Sequence, residues 1–145
     1  MINAMIEAIS MALDGQFGQN YEIHMEEIRQ GLKEPCFFIF CLSPSKELFL
    51  GKRYFRTNPF CIQYFPATDE KQRECSQVAE QMYECLEYLT IDGGDRPIRG
   101  TNMKYEVVDG ILNFFVNYDC FIYKVEQQTP MEDLETSTSI KEGGD

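Results

Sequence analysis

Apolar residues return at three- and four-residue steps at the start of the chain: Ile2, Met5, Ile6, Ile9 and Leu13, with Ala4, Ala8 and Ala12 beside them. That period predicts an amphipathic helix over 2–14, stopped by Gly15 and Gly18. From Tyr21 the period shortens to two. Tyr21, Ile23 and Met25 alternate with Glu22, His24 and Glu26, so residues 21–26 predict a half-buried strand with His24 turned to solvent. The segment Glu27 to Glu34 breaks the alternation, with Gly31 as the expected turn. Pro35 then opens CFFIFCL, which is apolar on both faces and belongs inside a sheet.

Ser43-Pro44-Ser45-Lys46 predicts a turn. Leu48 to Arg56 and Phe60 to Phe65 then predict two strands joined near Thr57-Asn58-Pro59. A second helix is expected over 69–89, capped by Thr68 or Asp69 and ended by Asp92-Gly93-Gly94-Asp95. Val78, Met82, Cys85, Leu86 and Leu89 form its apolar stripe, with Glu74, Glu80, Glu84 and Glu87 off the stripe's centre. The sharpest local signal is Asp109-Gly110 between MKYEVV and ILNFFVNYDCFIY. That dipeptide favours a type I′ hairpin turn and sets Val108 opposite Ile111. Met103, Tyr105, Val107, Leu112, Phe114, Val116, Tyr118, Cys120 and Ile122 then share the core face. The other face is polar except for Phe115, and later Phe121 and Tyr123.

The predicted order is α-β-β-β-β-α-β-β. Such a run implies an α+β fold, a mainly antiparallel sheet with two amphipathic helices packed on it. Its 145 residues suit one domain, and 43% hydrophobic with 13% aromatic residues excludes wholesale disorder. The domain is expected over 1–125. Residues 126–145 carry six acids and one base with no aromatic, and are expected to be a mobile acidic tail. The longest apolar run, Cys36 to Leu42, is too short to cross a bilayer, and no basic flank suggests a secretory leader.

Net charge is −11, which disfavours gripping a phosphate backbone. Against that field Lys52, Arg53 and Arg56, with Lys46 nearby, form the one local positive patch. It suits either a solvated edge that blocks stray pairing or a subunit contact. Phe115, Phe121 and Tyr123 suit a covering helix or a subunit contact equally. Six cysteines at 36, 41, 61, 75, 85 and 120 sit in apolar runs without a CxxC pair, so reduced core thiols are expected. His24 is the sole histidine and has no cysteine near it in sequence. No nucleophile elbow, Walker loop or dinucleotide fingerprint occurs, so no catalytic residue, cofactor or metal site is expected.

QGLKEPCFFI (Gln30 to Ile39), RYFR (Arg53 to Arg56) and FCIQYFP (Phe60 to Pro66) together resemble the small tail terminator proteins of tailed phages and prophages of Gram-positive bacteria. The resemblance runs over about residues 1–125. It implies a non-enzymatic virion protein, made in the host cytoplasm, that rings the tail tube, usually as a hexamer. It would end tube growth and offer a surface for head joining. Implied partners are other copies of the chain, the tail tube protein and a head–tail connector protein, with DNA passing through unbound and no membrane involved. A head-completion or neck protein is the nearest alternative. An intracellular ligand-binding or regulatory α+β domain is the other, and a deep, mostly apolar pocket in a monomer would mark it.

Overall fold

The computed structural model describes residues 1–18, 20–25, 32–91 and 97–123. The turn expected at Gly31, the stop at Asp92-Gly93-Gly94-Asp95 and the tail 126–145 lie outside the described residues. Helix α1 (Ile2–Phe17) runs one turn past the expected end, to Gly18, whose φ of 83° only glycine adopts freely. Its N–H closes the helix on the Asp14 carbonyl at 2.9 Å. Met5, Ala8, Ile9 and Leu13 are the buried stripe, as the spacing predicts.

The main sheet comprises β1 (Glu22–His24), β2 (Cys36–Cys41), β5 (Pro59–Phe65), β9 (Ile111–Asn117) and β8 (Thr101–Val108), in the order β1-β2-β5-β9-β8. The β1–β2 pair is parallel and the other pairs are antiparallel. Helices α1 and α2 (Lys71–Cys85) add their apolar stripes to the sheet's inner residues, and one core results. Phe37, Ile39, Ile62, Tyr64, Leu112, Phe114 and Val116 are buried there. Each such side chain contributes about 1.5–3 kcal/mol by leaving water. Strand β2 lies inside the sheet and buries both faces from Cys36 to Ile39. The Asp109-Gly110 turn has positive φ at both residues, 52° and 75°, and pairs Val108 with Ile111.

Four local readings are revised. Leu48 to Arg56 is not one strand but a hairpin: β3 (Ser45–Leu50), a turn at Gly51-Lys52, and β4 (Arg53–Thr57). Gly51 turns the chain in the left-handed region at φ 59°, and β3 begins inside the expected Ser43–Lys46 turn. The second helix ends at Cys85, not 89. The chain then forms β6 (Tyr88–Leu89) against β7 (Ile98–Arg99), which keeps Leu89 buried. The last strand divides into β9 and β10 (Cys120–Tyr123). Finally, His24 does leave the core side, but its side chain is only 16% exposed. It lies on the ring of Phe38, its partner across β1–β2, at 4.9 Å, with Nε2 3.2 Å from Glu22 Oε1.

Strands β10, β4 and β3 make a second sheet in that order. It grows from the first. Pro59 pairs with Asn117, and Arg56 pairs with Cys120 in the same register, so 53–65 and 111–123 are one long ribbon. The ribbon bends at Asn58. This fully buried polar residue donates its Nδ2 to the Tyr118 carbonyl at 2.9 Å and its backbone N–H to Asp119 Oδ1 at 3.0 Å. Tyr118 N–H donates back to the Asn58 carbonyl at 2.9 Å.

Candidate docking surface

Beyond Asn58 cover is thin: β4 is half-buried throughout, and Cys120 packs on the core with its Sγ 3.9 Å from Met1 Sδ at the start of α1. Every residue of β3 is exposed. Leu48, Phe49 and Leu50 are 62%, 59% and 72% exposed, and Tyr123 is 71% exposed. A register shift between Leu48 and Leu50 places a bulge at Phe49, beside the Gly51-Lys52 turn. Alternation along β4 and β10 then builds two different faces. On one, Phe121 stands opposite Phe55 and Tyr123 opposite Arg53. The ring of Phe121 lies 5.1 Å from Phe49 and 4.9 Å from Phe55. The Arg53 guanidinium carbon sits 4.4 Å above Phe121, with Phe49 at 5.8 Å and Tyr123 at 6.0 Å. Stacking of this kind suits arginine, whose plane matches a ring while its edges still donate.

On the other face Lys46 stands opposite Arg56, with Leu48, Tyr54, Cys120 and Ile122 along the same side. The Lys46 ammonium lies 4.9 Å from the centre of the Tyr54 ring. The positive patch is therefore split between two faces: Arg53 joins the aromatic cluster, Arg56 faces Lys46, and Lys52 marks the turn between them. None of the four cations lies within 4.0 Å of a carboxylate among the described residues. Phe121 and Tyr123 belong to the Arg53 face. Phe115 is apart, on the outer face of the main sheet with the Lys104 ammonium 5.6 Å from its ring centre. Residue patterning missed Leu48, Phe49, Leu50 and Phe55 as surface. Three consecutive apolar residues before Gly-Lys were the available signal, since a hairpin tip gives them no core to enter.

The remaining chemistry is quiet. Burial pushes the thiols of Cys36, Cys61 and Cys85 up to about 11, and those of Cys41, Cys75 and Cys120 upward as well. Glu34 and Glu22 reinforce the rise at Cys36. Such thiols are poor nucleophiles at neutral pH. All six cysteines are free. No cluster of three or more His, Cys, Asp or Glu side chains arranged for a metal occurs among the described residues. An open groove of about 540 Å³ runs beside the start of α2, lined by Tyr21, Pro35, Tyr64, Thr68, Glu74 and Val78 among others, with no cysteine or histidine in its described lining. Its principal polar group is structural. Burial alone would raise the Glu74 carboxyl, but hydrogen bonds from Thr68, Tyr64 and the Ala67 and Thr68 amides outweigh it and hold the group low.

The structure is an α+β module with a largely apolar core, thiols raised by burial and an exposed aromatic–arginine sheet. A family model described as phage tail terminator protein matches residues 4–130, so the chain belongs to the phage tail terminator family. That is a family of structural proteins of the virion tail. A search of curated proteins finds no match. No helix among the described residues is long and apolar enough to cross a membrane.

Proposed function

We propose that this protein caps the tail tube as a closed ring, a hexamer, which ends tube growth and presents a surface for head joining. Family membership supports a tail-cap role. The single structural observation that carries the reading further is the second sheet, which gathers exposed Leu48, Phe49, Leu50, Phe121 and Tyr123 in one place. Exposed apolar surface rimmed by cations is what an assembly contact offers before its partner arrives. The partners in this reading are other copies of the chain, the tail tube protein and a head–tail connector protein. DNA passes through without specific binding, and a net charge of −11 disfavours its sticking to the wall.

The test is to mix the purified chain with tail tubes and image them by electron microscopy, with light scattering across concentrations alongside. Ring density at one tube end and arrested tube growth are the expected outcome. Tubes that elongate unchanged, with no density at their ends at any protein concentration, would overturn the reading. Binding to isolated connectors but never to tubes would favour a neck protein instead.

A further inference from the structure

The cations of residues 45–57 and the acids at the end of α2 both lack an opposite charge within a single copy, among the described residues. Residues 45–57 and 120–123 carry four cations and one carboxylate, Glu47, in a chain of net charge −11. Arg53 lies on the aromatic face with Lys52 beside it at the turn, and no carboxylate comes within 4.0 Å of either among the described residues. On α2, Glu80 and Glu84 lie one turn apart on an exposed stripe that Glu87 continues just past the helix end. Like charges four residues apart destabilise a helix, and acids in its last turns oppose its dipole. No basic residue occupies the last turn of α2 to offset them. No cation lies within 4.0 Å of these three carboxylates among the described residues. Each patch lacks what the other supplies. The apolar parts match too: Tyr88, exposed, follows Glu87, and Met11 is exposed on α1, which packs against both α2 and β6. These are surfaces against which Phe49, Leu50 and Phe121 can be buried.

We infer that the Arg53 face of the β3-β4-β10 sheet of one copy, with Lys52 at its turn, docks on the Glu80–Glu84–Glu87 stripe of a second copy. The inference rests on the capping reading and names the contact that would close the ring. Because two different patches meet, the contact is head-to-tail, and such contacts close into rings when the rotation between copies permits. Opposed charges would set partner orientation and association rate, while the apolar tip and aromatic cluster supply most of the area.

The experiment uses two reversed full-length chains, Lys52→Glu with Arg53→Glu, and Glu80→Lys with Glu84→Lys. Self-association is read by sedimentation and capping by imaging on tail tubes. Circular dichroism checks each fold, and the helix pair sits at exposed positions that pack against nothing in the core. Each variant alone should associate at least about tenfold more weakly than the unaltered chain. Mixed in equal amounts they should recover, since each then supplies the charge the other needs, in alternation around an even-numbered ring. Folded variants that assemble like the unaltered chain, or a mixture no better than its components, would overturn the pairing while leaving capping intact. An unaltered chain that neither associates nor caps tubes would remove the capping reading and the pairing with it.

Discussion

The two sheets share one ribbon and differ in what lies over it. On one side of Asn58 the ribbon carries Phe60, Ile62, Tyr64, Leu112, Phe114 and Val116, all buried under α1 and α2. On the other side it carries Phe55, Phe121 and Tyr123, with Phe49 added from β3, and no described helix reaches them. Register is kept through the bend, and the exposed aromatics take odd positions, the face opposite the buried even ones. The fate of an aromatic residue here is decided by the layer above it and not by its strand. The first half is therefore a folding device, and the second is the surface that the proposed assembly would use. That division predicts where substitutions should act.

The largest loss of stability belongs under the helices. Phe114 is fully buried on β9, with its ring 5.0 Å from Tyr83 of α2. Phe114→Ala should cost about 3–5 kcal/mol, read from chemical denaturation. Gly100 comes next. A Cβ there would sit 2.8 Å from Val116 Cγ2 and 2.9 Å from the Leu86 carbonyl, both held by the core. Gly100→Ala should destabilise by about 1–3 kcal/mol, and an unchanged melting midpoint would show that β7 and β8 yield more easily than their packing suggests.

At the bend itself, Asn58→Ala removes the donor to the Tyr118 carbonyl at a fully buried position. A loss of about 1–3 kcal/mol is expected. The comparison sharpens if hydrogen exchange rises more in β4 and β10 than in β5 and β9, since Asn58 is what joins the two halves. Glu74 sets a smaller, pH-dependent loss. Hydrogen bonds in the folded chain hold its carboxyl below the ordinary value, so its contribution is present above about pH 4.3 and fades as pH falls through the folded value. Glu74→Gln should lower stability at pH 7 by about 1–2 kcal/mol and flatten the acid limb of the stability curve. An acid limb identical to that of the unaltered chain would mean other carboxylates govern it.

Much of this was legible in residue order, and the failures share a cause. Period and turn chemistry identified α1, β1, β2, β5 and the Asp109-Gly110 hairpin because each has its own local signal. The family also showed in the Gln30–Ile39, Arg53–Arg56 and Phe60–Pro66 stretches. Patterning placed Arg53, Arg56, Phe121 and Tyr123 among possible contacts but not their sorting into two faces, which depends on β10 crossing to pair with β4. It also took Leu48 to Arg56 as one strand, since apolar residues at a hairpin tip look like strand core until the covering layer is known. His24 was misjudged for the matching reason. Nothing in its own segment reveals that Phe38 stands beside it.

The smallest effect on folding is expected at the hairpin tip. Phe49 is 59% exposed and sits on a bulge with only Phe121 and Arg53 as near partners. Phe49→Ser should therefore change folding stability by no more than about 0.5 kcal/mol. Its exposure in the single copy argues that its value appears on association, so the same variant should weaken self-association while leaving the melting curve in place. A Phe49→Ser chain that unfolds several degrees earlier would mean the second sheet is held by its own aromatic cluster, and the contrast between the two halves of the ribbon would be one of degree. A chain that melts normally and assembles normally would leave the tip without a role in docking and shift the contact toward Arg53, Phe121 and Tyr123.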